Sequence, residues 1–310
     1  MSERFAILVD GACDLTPEQC RARDILVAPS HVTPAGGEDT IFRNSWDEIG
    51  RDAFYAAIKK DPDAYTTSPP NAEEFKAILE PLLKEGRGVL AITISTGISG
   101  TMDFLTQAVR ELKETYPEAD VRTVDSLRFS VAFGMLALRA ADLRDEDKSL
   151  DEASGEIERV KNTLHQAGWL DDLSFVAKKG RLTHAKAFFG SMAGIKPIGE
   201  FDYNGLTTII GKARGQKQAF AALLDYIEKT GVDLADQDMV IAQTCRMPQA
   251  EAFRDMIQAR FHPKSIRICD VFVACGINIG PGLMAAYYFG TPISEGLKDE
   301  RAILAAALEA

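Results

Sequence analysis

The segment Ile94-Ser95-Thr96-Gly97-Ile98-Ser99-Gly100-Thr101 closes an apolar run and opens an amphipathic one through a turn of hydroxyls and glycine. Where a buried strand gives way to a helix, the first backbone N–H groups have no intrahelical acceptor, and the helix dipole points its positive end outward. With Ser99 and Thr101 as side-chain donors around Gly100, this turn is a candidate site for a carboxylate or a phosphate. The same residue types also make an ordinary capping turn, because Ser and Thr are common N-caps. A second hydroxyl cluster, Thr66-Thr67-Ser68-Pro69-Pro70-Asn71, also precedes a helix. Its prolines set the shape of the loop and leave the side chains of Thr67 and Ser68 available. If the strands are parallel, both turns lie at the carboxyl edge of the sheet, where open α/β folds bind ligands. Asp10 and Asp125-Ser126 end other apolar runs and would share that edge, either as ligand groups or as helix caps.

No complete catalytic set accompanies these turns. Gly97-Ile98-Ser99-Gly100 resembles a nucleophile elbow, but G-x-S-x-G requires glycine where Thr101 stands. His165, His184 and His262 have no signature around them, so a hydrolase acting through Ser99 is a minor alternative. There is no Walker A sequence, no G-x-G-x-x-G after a strand and no H-E-x-x-H, so nucleotide, dinucleotide and zinc chemistry lack their usual marks. No cofactor or metal is expected. Lys178-Lys179-Gly180-Arg181 is a basic cluster in an acidic chain, readable as a solvated turn or as a docking element. Ala274 to Gly282 reads as a glycine-dense turn after a strand; Asn278 is its polar side chain, and Gly280 allows close approach of the backbone.

The elements that position these residues alternate in type. Phe5–Val9, Val89–Ile94 and Val121–Val124 are short apolar runs separated by amphipathic stretches, the βα pattern of a parallel sheet. Helices are predicted from Trp46, after Asn71 and after Ser149, because Ser45/Glu48, Asn71/Glu74 and Ser149/Glu152 have capping-box spacing. Phe54 and Ile58, and Phe75, Ile78, Leu79, Leu82 and Leu83, recur at helical spacing and read as core. Arg144–Lys161 is highly charged and predicts a polar helix bridging two halves. The domain reading is therefore 1–160, 161–290 and a helical tail 291–310. The second half carries the apolar run Leu173–Ala177, a helix near Lys186, and two strands over Ile195–Ala213 joined at Tyr203-Asn204-Gly205. Asn-Gly there predicts a type I′ turn. A helix from Gln216, a strand Met239–Gln243, a helix after Pro248 and strands around Ile266 and Phe272 follow.

Composition narrows the function. The chain has 310 residues, 46% of them hydrophobic, enough for two domains with separate cores. With 46 acidic against 35 basic residues, its net charge of -11 disfavours nucleic acid and anionic membrane surfaces. Five cysteines without a C-x-x-C pair suggest neither a disulfide framework nor a zinc site, and point to a reducing compartment. Met1–Asp14 lacks a signal-peptide apolar core, so a cytoplasmic location is expected. Val271–Ser294 is uncharged, but its central Gly and Pro residues argue for a buried strand and turn over a membrane span.

Taken together, these segments resemble the DegV family, which includes the fatty-acid-binding subunits of bacterial fatty acid kinase. The resemblance rests on Thr67-Ser68-Pro69-Pro70, Ile98-Ser99-Gly100-Thr101-Met102, Val124-Asp125-Ser126, Lys179-Gly180-Arg181-Leu182, Gly194-Ile195-Lys196-Pro197-Ile198 and Gly280-Pro281-Gly282, in that order over nearly the whole chain. It implies two α/β domains, the first with a mostly parallel sheet covered by helices on both faces, the second with a mixed sheet and a hairpin. It also implies a long-chain fatty acid buried at their interface, with its carboxylate on hydroxyls at Thr67 and Ser99. Ser68, Gly100, Thr101, Asn278 and Gly280 complete the expected ligand set. The chain itself would be a carrier, not an enzyme; a separate kinase subunit would phosphorylate the carboxylate, docking near Arg181. Three positions depart from the family pattern: Gly11 after Asp10 in place of Ser, Met102 in place of an aromatic residue, and Asn278 in place of His. Asn donates hydrogen bonds to a carboxylate but brings no positive charge, which keeps another acidic small molecule as the alternative ligand.

Overall fold

The computed structural model describes residues 4–182 and 194–309, which divide into two compact units. The first comprises Met1–Gly50, Asp63–Lys161 and Phe272–Ile277; the second comprises Arg51–Pro62, Asn162–Val271 and Asn278–Ala310. In chain order the elements begin with β1 (Ala6–Asp10), α1 (Pro17–Ala22), β2 (Ile25–Ala28), β3 (Ser30–Pro34) and β4 (Thr40–Phe42). After α2 (Arg51–Lys60), in the second unit, come β5 (Tyr65–Ser68), α3 (Ala72–Lys84), β6 (Val89–Thr93), α4 (Thr101–Thr115), β7 (Val121–Asp125), α5 (Ser130–Asp145) and α6 (Leu150–Val160).

The first unit is built on a parallel sheet of order β2-β1-β6-β7. Every residue of β1 and β6 is buried, as strands covered on both faces must be. On one face Phe75 and Leu79 of α3 and Leu105, Ala108 and Leu112 of α4 pack with Ala6, Leu8, Val89 and Ala91. Alternation turns Ile7, Val9, Leu90 and Ile92 to the other face, where α5 packs on β1 and α6 on β6 and β7. A separate antiparallel sheet of order β4-β3-β5 stands beside this arrangement in the sequence and takes up the strand that ends at Ser68.

Capping boxes form at Asn71/Glu74 and Ser149/Glu152. The one expected at Ser45/Glu48 does not: α2 begins at Arg51, and Ser45 lies in a bend with its Oγ 3.5 Å from the Asp47 amide. Gly50 falls inside the helix turn that the spacing predicted and disfavours it by about 1 kcal/mol relative to Ala. The charged stretch Arg144–Lys161 is also not one helix, because α5 stops at Asp145, the chain turns through Asp147 with positive φ, and α6 restarts behind Ser149.

The second unit adds β8 (Leu164–Leu170), α7 (Leu173–Lys178), β9 (Ile195–Phe201), β10 (Thr207–Arg214), α8 (Gly215–Thr230), β11 (Asp238–Gln243), α9 (Met247–Phe261), β12 (Ser265–Asp270), α10 (Val273–Ile279), β13 (Leu283–Phe289) and α11 (Lys298–Glu309), with α10 shared between the units. Its sheet has the order β10-β9-β8-β13-β11-β12, antiparallel except for the parallel pair β11/β12. The hairpin β9/β10 is present, but its turn is not type I′. Gly205 N donates to Asp202 O, Asp202 N donates to Leu206 O, and within Asp202–Leu206 positive φ falls on Gly205 and not on Asn204. That is a type I turn followed by a left-handed glycine. Phe272 is not in a strand; it leads into α10, and the strand follows the glycine turn as β13. The helix expected near Lys186, His184 and the run Phe188-Phe189-Gly190 lie outside the described residues.

A buried ion pair ties this second sheet together. His165 Nδ1 lies 2.9 Å from Glu200 Oε2, and its Nε2 lies 2.8 Å from the Thr291 carbonyl oxygen. Glu200 also accepts from Gln166 N, Phe201 N and the Tyr226 hydroxyl. Both ring nitrogens face acceptors, so the imidazole holds both protons. Burial works against that charge, but Glu200 and the Thr291 carbonyl outweigh it and raise the pKa above the usual histidine value. The pair's stabilisation is thus present below about pH 6.5 and is lost as pH rises through the raised value. Glu200→Gln is expected to lower the unfolding free energy by about 3 kcal/mol at pH 6, read from urea unfolding. An unchanged midpoint would contradict a charged pair.

Candidate functional site

Three neighbouring strands bring polar side chains to the carboxyl edge of the parallel sheet: Asp10 from β1, Thr93 from β6 and Asp125 from β7. Asp10 and Thr93 are buried, and Thr93 pairs with Asp125 in the ladder. Asp10 Oδ2 accepts the Ile94 amide at 2.8 Å and its Oδ1 accepts the Ala12 amide at 2.9 Å. Burial pushes the Asp10 pKa up to about 6, against the opposing pull of those two N–H donors. Asp125 accepts from the amide and hydroxyl of Thr96 and, at 2.9 Å, from the Leu127 amide. Both carboxylates thus hold the loops that leave the sheet.

The loop after β6 is built outward from those anchors. Ser95 Oγ accepts the Gly97 amide at 3.1 Å, and the Ser95 carbonyl accepts the amides of Ile98 and Ser99 at 3.2 Å each. The chain then enters the fifteen-residue α4 through Gly100, an N-cap without a side chain to satisfy the first turn. Ser99 Oγ and Thr101 Oγ1 lie 2.8 Å apart. A pair of hydroxyls shares one hydrogen between its two oxygens and keeps the other for a further acceptor. Thr101 is buried, Ser99 half-buried and Gly100 exposed, so the pair runs from the interior to the surface. Thr93, which the sequence pattern did not single out, adds a buried hydroxyl with no hydrogen-bond partner among the described residues. Such a donor costs free energy until an acceptor reaches it.

The remaining predicted residues come from other elements. Thr67 and Ser68 are on β5 of the antiparallel sheet, opposite Val32 and His31. Thr67 is half-buried and Ser68 exposed. Asn278 is half-buried near the end of α10, and Gly280 follows with φ of 76°. A Cβ on Gly280 would sit 2.6 Å from the Phe175 ring, and its carbonyl accepts from Thr244 Oγ1 at 2.8 Å. Both belong to the second unit, whereas Thr67, Ser68, Ser99, Gly100 and Thr101 belong to the first. Arg181 is exposed after α7 and donates to the Lys179 carbonyl. Among the described residues no cluster of His, Cys, Asp and Glu is arranged to hold a metal ion, and no helix is long and apolar enough to cross a membrane.

The raised pKa of Asp10 makes the folded chain bind a proton more tightly than the unfolded one. Its contribution to stability therefore declines as pH rises from about 4 to about 6. A carboxyl-carbon NMR titration of Asp10 is expected to show a midpoint near 6; a midpoint below 4 would contradict its burial.

The family model described as "Uncharacterised protein, DegV family" matches residues 4–291. A DegV domain-containing protein of Clostridium perfringens is 28% identical over 291 residues, covering 93% of this chain and 98% of its own. Among solved structures, a DegV family protein from Thermus thermophilus, described by its fatty acid binding, has a TM-score of 0.82 at 24% identity over 93% of this chain and 99% of its own. DegV from Bacillus subtilis, described as a fatty acid binding protein, has a TM-score of 0.77 at 26% identity over 94% of this chain and 100% of its own. With a family model spanning residues 4–291 and the same two-domain α/β fold, the chain belongs to the DegV family.

Proposed function

We propose that this protein binds a long-chain fatty acid, buries the acyl chain, and presents the carboxylate to a separate kinase subunit. The observation that carries this reading is the Ser99–Thr101 hydroxyl pair at the start of α4, whose N-cap Gly100 leaves the first-turn amides without a side-chain acceptor. A carboxylate placed there gains hydroxyl and amide donors together with the positive end of the helix dipole. Thr67 and Ser68, on β5 of the same unit, are the further proposed donors. The solved relatives from Thermus thermophilus and Bacillus subtilis, both described as binding fatty acids, support the choice of ligand.

In the kinase step, a carboxylate oxygen forms a bond to the γ-phosphorus of ATP as the bond to ADP breaks, giving an acyl-phosphate. The partner supplies that chemistry. Exposed Arg181, beside Lys178 and Lys179, is the proposed docking element. A second reading, a smaller polar acid as ligand, is favoured by Asn278, which donates a hydrogen bond without adding charge. The hydrolase reading is weaker, because Ser99 Oγ is bonded to a hydroxyl, while His165 faces Glu200 and Thr291.

Ser99→Ala is expected to keep the fold and to weaken palmitate binding by about 1 to 3 kcal/mol in a calorimetric titration, since a charged acceptor loses a hydroxyl donor. Unchanged affinity would place the head group elsewhere, and binding of small polar acids but not palmitate would favour the second reading. With a fatty acid kinase catalytic subunit and ATP, the loaded protein should yield acyl-phosphate trapped as a hydroxamate. Arg181→Glu should reduce that yield without changing palmitate affinity; equal yields would remove Arg181 from the docking surface.

A further inference from the structure

His31 lies on β3 directly opposite Ser68 in the β3/β5 ladder. Its Nδ1 is 2.7 Å from Asp39 Oδ2 and its Nε2 is 2.8 Å from Glu74 Oε1. Carboxylates accept and do not donate, so both contacts are hydrogen bonds only when the ring carries both protons. The Glu74 carboxylate uses its other oxygen to accept the Asn71 amide at 2.8 Å, closing the capping box of α3. The stiff segment Ser68-Pro69-Pro70-Asn71 is thus fastened to one residue at both ends: Ser68 through the strand ladder and Asn71 through Glu74.

We infer that His31 is a positioning residue for the Thr67–Ser68 part of the head-group site, and that it ties Glu74 and the Asp39 turn together beside Ser68 only while its imidazole is doubly protonated. The inference rests on the fatty-acid reading and adds a pH dependence to it. Asp39, from the turn after β3, and Glu74, from α3, are the ionisable groups that face the ring; Ile41 on β4 and Ser68 on β5, its ladder neighbours, do not titrate. Partial burial opposes the charged ring, but the two carboxylates outweigh it and raise the pKa above the usual histidine value. The clamp is accordingly complete below about pH 6.5 and opens as pH rises through that raised value. Loss of one ring proton sets a nitrogen lone pair against a carboxylate, so either the Asp39 or the Glu74 contact must break.

The test is calorimetric binding of palmitate at pH 6.5 and pH 9, a range in which its carboxylate stays ionised. The wild-type protein is expected to bind roughly three- to tenfold more weakly at pH 9. His31→Gln should bind weakly at both values with less than a twofold difference, and His31→Arg, which keeps a charged donor, should restore tight binding at pH 9. A wild-type affinity that does not change, or that falls in parallel with His31→Gln, overturns the inference. Nitrogen-15 spectra of the His31 ring give a reading without ligand: both nitrogens protonated at pH 6 is the expected result, and a neutral ring overturns the His31 step alone. Failure of palmitate to bind at either pH refutes the fatty-acid site itself, and the positioning role with it.

Discussion

The first unit depends on a carboxylate that is costly to bury. Asp10 ends a strand with no exposed residue, and it keeps its place by accepting two backbone amides that have no strand partner. One belongs to Ala12, in the turn that leaves β1. The other belongs to Ile94, the first residue of the segment that runs through Ser95 to the start of α4. An apolar residue at position 10 would leave both amides buried and unpaired, at about 1 to 3 kcal/mol each. The hydroxyl pair Ser99–Thr101 is placed by a chain of backbone bonds that begins at this carboxylate, continues through the Ser95 carbonyl and ends at the uncapped first turn of the helix.

The second unit meets the cost of buried charge differently. Glu200 and His165 lie in adjacent strands of an almost wholly antiparallel sheet, and each is surrounded by further donors or acceptors until its polar atoms are matched. Ring stacking of His165 on Tyr288, with centroids 5.5 Å apart, adds an apolar contact to the same network. This arrangement fixes β8, β9 and the segment at Thr291, and it needs no ligand to be complete. The contrast with the first unit is informative: there, Thr93 keeps a hydroxyl that the described residues do not use, and the N-cap of α4 supplies no side-chain acceptor.

Much of the first unit was legible because its signals are local and redundant. Two buried strands and two capping boxes each need only a few neighbouring residues to be recognised. The short strands β2, β3 and β4 were not legible, since β3 mixes Ser30, His31 and Thr33 with apolar residues and none shows clean alternation. For the same reason the strand that carries Thr67 and Ser68 was not legible as a partner of β3. In β8, His165 and Gln166 interrupt the apolar pattern; only their long-range partner Glu200 explains why a strand forms there. Val273–Ile279 is apolar but for Asn278 and too short to show a helical period, so it reads equally as a strand. The hydroxyl turn at Ser99 was visible from residue types alone, whereas His31 acts through partners distant in sequence, a role that spacing does not encode.

The central claim is that this chain carries a fatty acid on the donors gathered at the start of α4. Native mass spectrometry of freshly purified protein, followed by organic extraction and identification of what is released, tests it most directly. The account predicts a mass excess that matches a single long-chain fatty acid and disappears after extraction. Protein that emerges empty, and that takes up no fatty acid when lipids are offered, would contradict it.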